Sequence, residues 1–162
     1  LTEQEYNIAV ETLSHRLFGY VFKSLRNRED SNDIVQESFM KLWINREKVE
    51  TLKAKSWLFT TAHNALINFV KKSGRMSSLD ALEIDRGKED KHQFELKEII
   101  DSALAVLPLQ HKTILLLRDY EGYNYKEIGE IMKLTESQVK VYLFRARKKV
   151  KEQIKDLTIL KG

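Results

Sequence analysis

At 162 residues, 42% of them apolar, the chain can build one helical or mixed domain of ordinary size or two small ones. Lys and Arg outnumber Asp and Glu by 28 to 24, and cysteine is absent, which excludes a disulfide framework, a thiolate metal site and a cysteine nucleophile. No apolar run approaches the ~18 residues of a membrane span, and the polar start LTEQEYN lacks the apolar centre of a signal peptide. A cytoplasmic protein without membrane insertion is expected.

Charge is unevenly placed. Residues 1–75 carry 12 basic and 9 acidic side chains, residues 76–108 carry 4 and 8, and residues 109–162 carry 12 and 7. The two ends therefore attract polyanions and the middle repels them.

Helical periodicity dominates, with one proline, six glycines and no strand-like alternation between hairpin turns, so an all-α fold is expected. Four helices are expected before residue 76. Two cover roughly Glu3–Ser14 and His15–Leu25. A third, capped by Asp30 after the polar break at 27–30, runs to about Glu47 with Ile34, Val35, Ser38, Phe39, Leu42 and Trp43 on one face. Asp33, Gln36, Glu37 and Lys41 fall outside that face. A fourth covers about Ala54–Lys72, with Trp57, Leu58, Thr61, Ala65 and Phe69 sharing a side.

The stretch 76–91 is rich in Ser, Asp, Glu and Lys without sustained period and reads as an acidic linker between two small helical domains, 1–75 and 92–162. Beyond it, Gln93–Val106 is amphipathic through Leu96, Ile99, Ile100, Ala103 and Leu104. Pro108 suits the first turn of the next helix, which continues through Ile114–Leu117 until Glu121-Gly122-Tyr123 breaks it. Asn124 with Glu127, and Thr135 with Gln138, have the spacing of capping boxes, so YKEIGEIM and ESQVKVYLFRARKKVK form a helix-turn-helix across the break 133–135.

Along the last helix, ~100° per residue puts Val139, Leu143, Ala146 and Val150 inward and Ser137, Lys140, Val141, Phe144 and Lys148 outward. Early residues of such a helix meet base edges and later basic ones meet phosphates. Glu136, Ser137, Lys140 and Val141 are thus candidate base readers, and Arg145, Arg147, Lys148 and Lys149 candidate phosphate contacts. Gly129 is read as the small residue that lets the second helix cross closely over the first. A bland alternative is a solvated basic helix, against which the outward Val141 and Phe144 count, because exposed apolar groups need a partner.

Around the fourth helix, Lys53, Lys55, Trp57, Asn64, Asn68, Lys71 and Lys72 combine bases, an aromatic ring and amides, a composition suited to single-stranded nucleic acid. Trp57 and Phe59 also fit a core, since tryptophan in a small helical domain is usually buried. His15, His63, His92 and His111 show no metal-ligand spacing, and there is no glycine-rich phosphate loop or nucleophile–histidine pairing. No cofactor, metal or catalytic site is expected, and function falls to binding.

Three segments carry a resemblance. DSNDIVQESFMKLW (30–43), SWLFTTAHNALINFVKK (56–72) and LPLQHKTILLLRDYEGYNYKEIGEIMKLTESQVKVYLFRARKKV (107–150) occur in the order found in bacterial sigma factors of the extracytoplasmic-function (ECF) group, which the chain resembles almost end to end. The first is similar to the second-region helix, the next to the segment recognising the minus-ten element, and the last to the fourth region, which binds the minus-thirty-five element. The resemblance implies a four-helix second region, a linker, and a fourth-region helix-turn-helix. It also implies core RNA polymerase, double- and single-stranded promoter DNA and an anti-sigma factor as partners.

By that resemblance Asp33, Gln36 and Glu37, with Lys41 beside them, match the surface docking on the clamp helices of the polymerase's largest subunit. Asn64 and the connection Lys48–Lys55 match elements that hold a flipped base, and Lys140 and Arg145 match basic positions of the recognition helix. Val141 and Tyr142 stand where the family usually has arginine, and Thr60 and Thr61 where many members have a basic and an aliphatic residue. The alternative is a free-standing regulator whose N-terminal bundle senses a ligand or dimerises, which predicts a palindromic site bound without polymerase.

Overall fold

The computed structural model describes residues 1–73 and 91–161, with side chains described for 1–73 and 96–156. The chain divides into two compact units, Leu1–Gly74 and Arg75–Gly162. Among the described residues there is no strand. The expected linker lies outside the described residues except for Lys91, which opens a helix.

The first unit holds three α-helices: α1 (Glu3–Leu25), α2 (Arg28–Ile44) and α3 (Ala54–Ser73), with one 3-10 turn at Thr51–Lys53. The two helices expected before residue 26 are one. Ser14 and His15 carry no backbone constraint, the Ser14 hydroxyl donates to the Val10 carbonyl at 2.6 Å, and the buried stripe Leu17, Tyr20, Val21, Leu25 continues the one begun at Ala9. Thr2 caps α1 through a capping box, its hydroxyl accepting from the Glu5 amide at 3.1 Å while its own amide donates to Glu5 Oε1 at 2.9 Å. Helix α2 begins earlier than expected, because the Asn27 side chain accepts from the Asp30 amide at 2.9 Å and is the cap; Asp30 sits inside the first turn.

All three helices pack on one another, around Leu17, Leu42, Leu58, Phe59 and Leu66. On α3 the core face is Leu58, Phe59, Ala62, His63, Leu66 and Val70. The expected face was rotated by about one residue: Trp57, Thr61, Ala65 and Phe69 are only half-buried. The stripes 57, 61, 65, 69 and 58, 62, 66, 70 are adjacent and equally periodic, so period alone does not rank them; Leu58, the one residue of the expected face that is buried, belongs to the second. Within the core the Tyr20 hydroxyl and His63 Nδ1 lie 3.1 Å apart. Burial lowers the His63 pKa from 6.5 to about 4, so the ring is neutral at pH 7.

The second unit holds α4 (Lys91–Ala105), α5 (Leu109–Leu115) with a π-turn at Leu116–Tyr120, α6 (Tyr125–Met132) and α7 (Glu136–Lys161). Pro108 is the residue before α5, not its first helical position. Ile114, Leu115, Leu116 and Leu117 are all buried, as an unbroken apolar run at a helix centre requires. The chain leaves the π-turn through Gly122 at φ 75°, where a side chain would be strained. Helices α4, α5 and α6 each pack on α7, whose Val139, Leu143 and Ala146 are buried. Leu96, expected on the apolar face of α4, is 63% exposed.

Candidate nucleic-acid interface

In the second unit both capping boxes form. Asn124 Oδ1 accepts from the Glu127 amide at 2.8 Å, and Thr135 Oγ1 accepts from the Gln138 amide at 3.1 Å, each with the reciprocal bond at 2.9 Å. Between them α6 stops at Lys133, which adopts φ 58°, and the Gly129 carbonyl accepts from the Leu134 amide at 2.9 Å. A Cβ on Gly129 would lie 2.6 Å from the Leu134 carbonyl oxygen and 3.8 Å from Val139 Cγ2. The glycine therefore makes room for the backbone of the turn more than for the body of α7. That turn, 133–135, fixes how α7 leaves α6.

Glu136, Ser137, Lys140, Val141, Phe144, Arg145, Arg147, Lys148 and Lys149 are all exposed on α7, and the predicted inward residues Val139, Leu143 and Ala146 are buried, with Val150 half-buried. A groove of about 510 Å³ runs between Tyr125 of α6 and Lys140, Phe144, Lys148 and Lys151 of α7. Lys140 Nζ lies 5.8 Å from the centre of the Tyr125 ring, and the Arg118 guanidinium 5.0 Å from the same ring. Arg147 differs from its neighbours: its Nη2 is 2.6 Å from Asp119 Oδ1 and its Nε 3.4 Å from Oδ2, which raises its pKa and ties α7 to the π-turn. Among the described residues it is the one predicted phosphate contact with a carboxylate partner.

In the first unit the predicted residues divide differently from their sequence grouping. A groove of about 520 Å³ has Asp30, Asp33, Glu37 and Lys41 of α2 along one wall and Trp57, Asn64, Asn68 and Lys72 of α3 along the other, over Ile34, Thr61, Ala65 and Phe69. The structure thus joins three of the four expected polymerase-docking residues to four of the seven expected strand-binding residues. Gln36 is not among them; it lines a separate groove of about 440 Å³ with Tyr6, Phe39, Met40 and Trp43. Within the first groove Lys41 Nζ is 3.2 Å from Glu37 Oε1. Lys53, Lys55 and Lys71 lie outside the groove walls, Lys53 and Lys71 exposed and Lys55 half-buried.

Two groove residues, Asp30 and Tyr125, were not among the expected site residues, and Leu52 stands out within the connection 48–55. Asp30 continues the 33, 37, 41 spacing and could have been found from it. Tyr125 opens α6 and carries no periodic signal. Leu52 is 95% exposed beside Lys53, in a 3-10 turn too short to show a period. The Thr51 hydroxyl beside it donates to Glu5 Oε2, a bond that, with those to the Thr2 amide and hydroxyl, holds the Glu5 carboxyl down to about 2. This connection is anchored to the start of α1.

Two all-helical units, one a helix-turn-helix with an outward basic helix and the other a groove with one acidic and one amide-bearing wall, define a DNA-binding protein that also presents a surface hostile to DNA. A Sigma-70 region 2 model matches residues 9–76 and a Sigma-70, region 4 model matches residues 97–150. The chain is 33% identical over 144 residues to the RNA polymerase sigma factor SigV of Bacillus subtilis (strain 168), covering 85% of this chain and 83% of that one. It is 29% identical over 140 residues to the ECF RNA polymerase sigma factor SigM of the same strain, covering 83% and 86%. The fold is shared with the sigma factor RpoE of Bartonella quintana, solved with the anti-sigma factor NepR, at a TM-score of 0.74 and 21% identity over 94% of this chain and 98% of that one. The chain belongs to the ECF group of the Sigma-70 family of RNA polymerase sigma factors. A family match in both units leaves the free-standing regulator without support.

Proposed function

We propose that the chain binds core RNA polymerase through α2, holds opened promoter strand along α3 and reads the upstream duplex element with α7, acting in the cytoplasm. The observation that carries this division of labour is the α2–α3 groove. Its acidic wall, Asp30, Asp33 and Glu37, repels phosphate, while Asn64, Asn68 and Lys72 opposite offer amide hydrogen bonds and a positive charge. Nucleic acid is thereby confined to α3, and α2 is left to a basic protein surface such as the polymerase clamp helices. Trp57, half-exposed at the groove, supplies a face on which an unstacked base can lie.

Holding an unstacked base offsets a few kcal/mol of unstacking energy, so strand opening is driven by binding and requires no nucleotide hydrolysis. At the other unit, Arg145, Lys148 and Lys149 carry the phosphate contacts, with Arg147 positioning α7 through Asp119. Support for an anti-sigma partner comes from the structural neighbour RpoE, solved with one, and from the exposed Met40 on the groove lined by α1 and α2.

The test is co-purification with bacterial core polymerase, followed by transcription from promoters of the chain's own regulon. The parent should co-purify and Asp33→Lys combined with Glu37→Lys should not, while both bind duplex DNA equally. Equal recovery of parent and variant would remove α2 as the docking surface, and no promoter-dependent transcript from the parent would remove the reading as a whole.

A further inference from the structure

The outward face of α7 carries a chemistry that its lysines and arginines do not account for. Val141 and Phe144 stand one turn apart, 45% and 71% exposed, while the other large apolar groups early in the helix, Val139 and Leu143, are buried. At ~100° per residue Val141 points roughly 170° away from the buried stripe, the position in a recognition helix that meets the floor of the major groove. Lys140, Arg145 and Lys148 surround the pair and are exposed. This is a small apolar patch inside a ring of cations. An apolar protein groove laid over it would strip water from those cations without pairing them. A duplex serves both: phosphates take the cations, and the thymine 5-methyl is the apolar group that base edges present in the major groove.

We propose that Val141 and Phe144 read thymine through its 5-methyl group, so that the upstream element is selected partly by apolar contact and not only by hydrogen bonds from arginine or lysine to guanine. This rests on α7 being the duplex reader. Each methyl removed from such a contact should weaken binding roughly fourfold, the worth of one buried methylene-sized group.

The experiment starts from the chain assembled with core polymerase, which selects duplexes from a randomised pool. Affinity is then measured on the selected duplex and on copies with deoxyuridine replacing each thymidine in turn, for the parent, Val141→Ala and Phe144→Ala. The parent is expected to lose roughly fourfold at one or two positions. Each variant is expected to bind thymidine and deoxyuridine alike at its matching position, with unchanged thermal unfolding because both side chains are exposed. A parent indifferent to the methyl at every position overturns the proposal, as do variants that keep the parent's full methyl dependence. A pool that yields no enriched sequence overturns the assignment of α7 as reader, and the proposal with it; the methyl comparison on an enriched duplex fails separately.

Discussion

Acidification toward pH 5 should destabilise the first unit, and His63 is the reason. The ring is buried against Tyr20, and its pKa falls from 6.5 in the unfolded chain to about 4 in the folded one. Between those values the unfolded state binds the extra proton, so stability is complete above pH 6.5 and is lost as pH falls toward 4. From pH 7.5 to pH 5 the loss is about 2 kcal/mol, a large share of a small domain's stability. Both tryptophans, Trp43 and Trp57, lie in this unit, so their fluorescence reports its unfolding in the full chain without interference from the other. With a denaturant slope of ~1 kcal/mol/M in urea, the midpoint should drop by roughly 2 M over that pH range. His63→Leu, which starts lower because it removes the Tyr20 partner, should hold its midpoint nearly constant. A parent midpoint no more acid-sensitive than the variant's would refute the assignment of a neutral buried imidazole.

Gly129→Ala gains about 1 kcal/mol of helix propensity but drives a methyl into the Leu134 carbonyl, and the net effect should be a loss of about 1–2 kcal/mol from the second unit with weakened duplex binding; unchanged thermal unfolding would show that the turn yields freely. Arg147→Ala should cost under about 1 kcal/mol and leave the salt dependence of duplex binding as it was, whereas Lys148→Ala should lower its log–log slope by about 1; a titration in which the two behave alike would contradict the Asp119 assignment. Leu52→Ser and Asn64→Ala should both spare polymerase binding and slow formation of open promoter complexes, followed by permanganate reactivity of unpaired thymines; wild-type reactivity in either would place that residue off the strand path. Lys133→Gly, which relieves a left-handed residue of its Cβ, should stabilise the second unit by up to about 1 kcal/mol in urea unfolding.

The helix-turn-helix was legible because each of its boundaries is written in local chemistry. Asn124, Glu127, Thr135 and Gln138 cap at fixed spacing, and Val139, Leu143 and Ala146 keep one period from end to end. The first unit was read less well for the opposite reason. Nothing at Ser14-His15 forbids or requires a break, so a polar pair was mistaken for one, and Asp30 competed with Asn27 as a cap from three residues away. On α3 two adjacent apolar stripes are equally periodic, and only packing against α1 and α2 decides that Phe59 is in and Trp57 is half out. Gln36 and Glu37 are neighbours in sequence yet line different grooves, a separation that charge and spacing could not supply. Arg147 looked like its neighbours until Asp119, 28 residues away, was brought to it.

Helix α7 is the packing partner of α4, α5 and α6 at once. The element that meets DNA is therefore also the spine of its own domain, and the two tasks occupy opposite sides of one cylinder. The buried side admits few substitutions, since Val139, Leu143 and Ala146 are buried against the other helices. The outward positions 137, 140, 141, 144 and 148 are exposed and can be rewritten one by one at small cost to the fold. A collection of such chains could thus keep one architecture while answering to different promoters, and a designer wishing to redirect this one would leave the spine alone and edit the five outward side chains at 137, 140, 141, 144 and 148.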